Sequence, residues 1–135
     1  MTIGSAGYFI STFFVNKTNL RTDEYGGSFP NKIRIATEIV EGIRKSVGED
    51  FLIIFRIPAM DMLEGGMSWE EICTLGQALE NSGVSIVSTH FSWHESPVPT
   101  IATMVPRAAF TSVTKRLKTA VSYTHLRAHE TELDR

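Results

Sequence analysis

Val84-Ser85-Ile86-Val87 is a short apolar run, and Ser92-Trp93-His94-Glu95 follows it closely. An apolar strand that opens into a loop carrying an imidazole is what the rim of an α/β barrel presents, because strand ends there deliver acid/base groups to one centre. The start of the chain repeats the pattern: Thr2-Ile3-Gly4-Ser5 reads as a strand, and Tyr8 stands just beyond it. Between the two, Leu52 to Ile57 reads as a buried strand starting near Phe51 and closed by Arg56-Ile57-Pro58.

Helices separate these runs. Ile33, Ala36, Val40, Ile43 and Val47 recur at helical spacing from about Pro30 to Val47, with Pro30 suited to the first turn and Gly48 to the stop. Ser68 and Glu71 form a capping box ahead of a second helix, whose buried face is Ile72, Leu75 and Leu79 and whose end is Gly83. A third helix is expected from about Ala109 to Lys118. The resulting order is strand, loop, helix, strand, helix, strand, loop, helix, which predicts a parallel sheet with right-handed crossovers. A doubly wound nucleotide fold needs a glycine-rich turn between its first strand and helix. Gly4-Ser5-Ala6-Gly7 is too short for that fingerprint, and a long loop carrying Tyr8 follows it. The barrel is therefore favoured. Since roughly 250 residues and eight strands close a TIM (β/α)8 barrel, the expectation is an internal piece, about strands four to six with their helices. Such a piece exposes sheet edges and apolar faces without the remainder of its own barrel.

The bulk properties agree with one domain. The chain has 135 residues, and its 42% hydrophobic and 21% charged content is that of a globular protein, not a disordered one. A net charge of −2 supplies no basic field for nucleic acid or anionic lipid. No apolar stretch nears the roughly 20 residues that span a bilayer, and Met1 to Phe14 lacks the basic region and cleavage site of a secretory signal. The single cysteine, Cys73, closes no internal disulfide and holds no cluster by itself. A cytoplasmic location is expected. Asn16-Lys17-Thr18 matches the glycosylation tripeptide, without a secretory route to use it. His90 with His94 and His125 with His129 are each four apart, but neither pair has the helical setting and further ligands a metal needs, so no metal site is expected.

Asn19-Leu20-Arg21-Thr22-Asp23-Glu24-Tyr25-Gly26-Gly27-Ser28 resembles the signature loop of the old yellow enzyme family of flavin oxidoreductases. Gly4-Ser5-Ala6-Gly7-Tyr8-Phe9-Ile10, Trp93-His94-Glu95, Pro99-Thr100-Ile101-Ala102-Thr103 and Val105-Pro106-Arg107 narrow the match. Together they resemble the flavin-binding barrel of the NADPH-dependent 2,4-dienoyl-CoA reductases, over roughly Thr2 to Val121. The resemblance implies FMN at the mouth of the barrel. It also implies, in full-length members, a 4Fe-4S cluster and an FAD- and NADPH-binding region after the barrel. The substrate it implies is a conjugated acyl-CoA thioester.

The same resemblance makes Tyr8 the proton donor and His94 its partner. A free phenol titrates near pH 10, so an adjacent imidazole must help move its proton near neutrality. Arg56, at a strand end and on one face with Leu52 and Ile54 by alternation, is implied to contact the flavin ring, where its charge favours the reduced, anionic form. Lys17, His94, Glu95, Ser96 and Pro97 align with substrate-contacting positions. Lys17 and Pro97 stand where the family places arginines, so a bidentate fork is lost at one and all charge at the other. Leu20 replaces a polar residue, and Arg21 and Asp23 are expected to pair and brace the loop.

Each role has a plainer alternative. Tyr8 by itself is a packing residue with a satisfied hydroxyl, His94 a surface loop histidine, and Arg56 a salt-bridge partner of Asp61 or Glu64. The alternatives for the whole are an old yellow enzyme-like reductase of other enones or amines, and a non-catalytic barrel segment. Residues 1–121 are assigned to the barrel. Residues 122–135 are mostly polar without strand alternation, and Ser122 to Thr131 resembles a recurrent tail of translated sequencing-adapter DNA, so they are set apart as non-native. A short helix from about Thr124 to Leu133 is the other expectation.

Overall fold

A computed structural model describes residues 1–98, 105–106 and 108–122, and the backbone of 126–128. Among these residues, four strands, β1 (Thr2–Ile3), β2 (Ile54–Met60), β3 (Ile86–Phe91) and β4 (Leu126–Ala128), lie side by side in chain order, and each neighbouring pair is parallel. Helices α1 (Phe29–Val47), α2 (Trp69–Asn81) and α3 (Thr111–Ala120) connect them, with a 3-10 turn at Ser11–Phe13 between β1 and α1. Among the described residues, no helix is long and apolar enough to cross a membrane.

Alternation along the strands decides how the layers stack. Phe55, Ile57 and Val87 are fully buried and pack in one core with Ile33, Ala36 and Val40 of α1, Ile72, Leu75 and Leu79 of α2, and Leu117 of α3. Thr89, on the same face, shares a hydrogen bond of 3.0 Å with Thr114 of α3. All three helices therefore cover a single face of the sheet. A doubly wound sheet carries helices on both faces, whereas successive parallel strands with helices outside form an arc of a (β/α)8 barrel. The opposite face, with Ile54, Arg56, Ile86 and Ser88 half-buried, is the barrel's inner wall.

The helix signals hold locally. Ser68 caps α2 by accepting from the Glu71 N–H at 3.2 Å, while the Glu71 carboxylate accepts from the Ser68 N–H at 2.8 Å. Gly48 ends α1, its N–H donating to the Arg44 carbonyl at 3.0 Å. β1 stops at Ile3, short of Ser5, and α1 starts at Phe29, whereas β2, β3 and α3 all fall later than expected. β2 begins at Ile54, and Phe51 and Leu52 are exposed in the preceding loop. β3 runs from Ile86 to Phe91, later than Val84–Val87. Parallel pairing causes this, because Ser88 and Thr89 take their ladder positions opposite Arg56 and Ile57 despite their polarity. α3 is shifted to Thr111–Ala120, and Val47 at the end of α1 is exposed. Beyond Ser122, where no strand alternation is legible, the backbone of Leu126–Ala128 pairs with Val87–Thr89 instead of forming a helix. An open strand edge accepts extended backbone whatever its side chains. Pro99-Thr100-Ile101-Ala102-Thr103, Arg107, His125 and His129 lie outside the described residues.

Candidate active site

All three strand-to-helix loops leave the sheet at the same end, and each turns through a residue with left-handed backbone. Ala6 (φ 65°) follows β1, Met62 (φ 52°) follows β2, and Ser92 (φ 73°) follows β3. Such conformations are unfavourable for side chains with a Cβ and are held only where surrounding contacts fix them. Here the contacts are interlocking. Ser92 Oγ donates to the Val98 carbonyl at 2.6 Å, the Ser92 N–H donates to the Met60 carbonyl at 2.7 Å, and the His94 N–H reaches the Ala6 carbonyl at 3.4 Å.

These turns bring Tyr8 and His94 together although they are far apart in sequence. Their ring centroids are 5.0 Å apart with planes crossed at 68°, an edge-on contact. Tyr8 is 52% exposed and His94 is exposed, so both present themselves to an approaching ligand. Glu95 is also exposed, with Oε2 3.1 Å from where a Cβ on Gly7 would stand.

Behind the pair lies a contact that sequence inspection misses. Trp93 is buried, and its Nε1–H donates to Asp61 Oδ1 at 2.7 Å. Asp61 Oδ2 accepts from the Met67 N–H at 2.8 Å. Burial pushes the Asp61 carboxyl above its ordinary range, against the two donated hydrogen bonds that favour its charged form. The only legible hint is that Asp61 sits directly after a strand, where barrel loops gather polar groups.

Arg56 stands opposite Ile3 and Ser88 in the sheet. It does not pair with Asp61, whose oxygens are taken by Trp93 and Met67, and the ion pair recorded among the described residues is Arg21–Asp23. The Arg56 Nε is buried without a hydrogen-bond partner, and burial pulls its pKa down. Ser5 Oγ, buried at the end of β1, also lacks a partner. Orphaned polar atoms of this kind are rare in folded proteins and mark a place where something else completes the bonding.

The remaining sequence candidates divide. Ser96 is committed to the loop, donating to the Met62 carbonyl at 3.0 Å and accepting from the Val98 N–H at 3.2 Å. Pro97 is exposed beside it. Lys17 is exposed on the turn after Ser11–Phe13 and makes no hydrogen bond or ion pair with Tyr8, His94 or Glu95. Its loop is braced by Asn19, whose Nδ2 donates to the carbonyls of Phe13 and Tyr25, both at 2.7 Å. Arg21 Nε donates to Asp23 at 2.9 Å, the expected pair, and that bond holds the Asp23 carboxyl below its usual range. Tyr25 donates to Glu38 at 2.9 Å and ties the loop to α1.

Comparison with known proteins agrees on the kind of protein. Residues 2–131 match the profile of the NADH:flavin oxidoreductase / NADH oxidase family. A metal reductase from Desulforamulus reducens is 39% identical over 120 residues, which is 89% of this chain and 18% of that protein. A solved 2-naphthoyl-CoA reductase in complex with 2-naphthoyl-CoA superposes with a TM-score of 0.88 at 31% identity, over 93% of this chain and 19% of that one. An old yellow enzyme homologue from Zymomonas mobilis shares the fold, with a TM-score of 0.68 at 17% identity over 95% of this chain and 34% of that one. The chain thus spans less than a fifth of the first two proteins.

Proposed function

Because the chain belongs to the NADH:flavin oxidoreductase / NADH oxidase family, we propose that it is a barrel segment of a longer FMN-dependent reductase of conjugated acyl-CoA thioesters, the 2,4-dienoyl-CoA class. One observation carries the proposal: Tyr8 and His94, from loops after different strands, meet edge-on at 5.0 Å. The acyl-CoA substrate of the solved neighbour supports the thioester class. The alternative is an old yellow enzyme-like reductase of simpler enones, to which the substitution of Lys17 and Pro97 for arginines points.

The inner wall fits a flavin. Arg56 Nε and Ser5 Oγ are buried and unpartnered, and an acceptor-rich planar ring offers what both need. Arg56 would hold that ring and place positive charge beside it. When bound, FMN would supply the hydride chemistry that reduction of the diene needs. Negative charge then spreads toward the thioester oxygen, and Tyr8 gives its O–H proton to carbon as the second C–H bond forms. His94 returns a proton to the phenolate. The longer protein would hold FAD and a 4Fe-4S cluster, with NADPH as the electron donor. Within the chain we assign residues 1–121 to the barrel part, with the backbone of Leu126–Ala128 pairing onto its edge, and resequencing the locus past Val121 tests whether 122–135 are native.

The decisive test uses Tyr8→Phe and His94→Ala in the complete enzyme, with the two half-reactions followed separately. Flavin reduction by NADPH should continue, while reoxidation by dienoyl-CoA should slow about 10²–10⁴-fold, as for loss of a positioned acid. Unchanged reoxidation in Tyr8→Phe overturns the proposal. Reoxidation by a simple enone but not by dienoyl-CoA in the parent enzyme selects the alternative.

A further inference from the structure

Trp93 is the joint at which the loops after β1 and β3 meet. Its Cε3 lies 3.0 Å from where a Cβ on Gly7 would stand, so the indole rests flush on the peptide just before Tyr8. The next residue along the chain is His94. Any slide or rotation of the indole therefore changes the approach of phenol to imidazole. Apolar packing does not fix such a rotation, because it is non-directional. A hydrogen bond does, and the indole has a single N–H to give.

That N–H goes to Asp61, which belongs to neither loop. Asp61 is 4% exposed, and its second oxygen is anchored by the Met67 N–H on its own β2–α2 loop. The carboxylate thus ties the ring to the strand between the other two. Burying an acidic group without a cation is costly, and the two donated bonds, one from the backbone and one from Trp93, are its compensation.

We propose that Asp61 is a positioning residue: it sets the Tyr8–His94 approach through the indole of Trp93, an inference that rests on the proton-transfer roles proposed for that pair. Asp61 touches neither substrate nor flavin in this scheme. Its effect should appear in the proton-transfer step and not in binding.

The test compares Asp61→Leu, Trp93→Phe and the double variant in the complete enzyme, with Tyr8→Phe alongside. Asp61→Leu removes both acceptors, and Trp93→Phe, the milder arm, keeps a ring while deleting the N–H. Each single variant should lower kcat about 10-fold or more, the scale of misplacing a reacting group by a fraction of an ångström to an ångström. KM and bound FMN should stay within about threefold. The double variant should be no slower than the slower single one, because both changes remove the same bond. Three results overturn the inference: kcat within twofold of the parent in Trp93→Phe, losses that multiply in the double variant, or kcat, KM and FMN content failing together. Tyr8→Phe separates the two levels. If it turns over at full rate, the roles of the pair fail and this inference falls with them; if it is impaired while Trp93→Phe is not, this inference falls alone.

Discussion

Gly7→Ala probes the geometry most sharply, and Gly27→Ala is its built-in control. Both glycines have positive φ, 85° and 74°, so alanine meets a similar backbone penalty at each. That penalty is about 1–2 kcal/mol, offset by about 0.4–1 kcal/mol from the stiffer unfolded chain, leaving a net loss of about 1 kcal/mol. The surroundings differ. A Cβ at Gly27 meets nothing within 4 Å, whereas one at Gly7 sits 3.0 Å from Trp93 Cε3 and 3.1 Å from Glu95 Oε2. The latter contacts are a few tenths of an ångström too close, and the indole must move. Overpacking of this kind adds about 1 kcal/mol or more. Gly7→Ala should therefore cost about 2 kcal/mol and slow the proposed dienoyl-CoA reduction about 10-fold, since Tyr8 and His94 are pushed apart. Gly27→Ala should cost about 1 kcal/mol and leave turnover unchanged. Thermal unfolding and steady-state rates of the complete enzyme measure both. Equal stability losses and equal rates in the two variants would refute the claim that the Trp93–Gly7 contact sets the pair.

Arg44 spans the opposite end of the sheet, donating to the carbonyls of Gly48 at 2.7 Å, Phe51 at 2.8 Å and Gly83 at 2.5 Å. Arg44→Ala should lower stability by about 2–4 kcal/mol, the scale of losing charge-assisted bonds, with turnover per folded molecule unchanged; a loss of rate without a loss of stability would contradict that. Burial raises the Asp61 carboxyl above its unfolded value. The folded state therefore holds that proton more tightly, and the stability this gives is full below the ordinary carboxylate range and lost as pH rises through the folded value. Urea midpoints against pH should show the decline, and Asp61→Asn should flatten it; an unchanged slope would rule Asp61 out as the source. The 135-residue chain by itself should show no cooperative thermal transition, because Ile3, Phe9, Leu20, Phe51 and Leu52 are exposed and the inner wall is open. A sharp calorimetric peak would disprove this.

The sequence by itself determined the alternation of strand and helix, the capping box at Ser68 and Glu71, and the buried stripe of α2, because these depend on neighbours along the chain. It also pointed to Tyr8, His94 and Arg56 as the residues of interest, through segments resembling a flavin reductase barrel. Tertiary structure alone decided that the three helices share one sheet face, which separates barrel from doubly wound sheet. It alone extended β3 through Ser88 and Thr89, whose polarity hides a strand until parallel pairing supplies their partners. Asp61 shows the reason most plainly. Its place just after a strand is the only hint in the sequence, and only the approach of an indole from another loop turns it into a buried acceptor. Distances between loops are set by how strands stack, and stacking is not written at any one position of the chain.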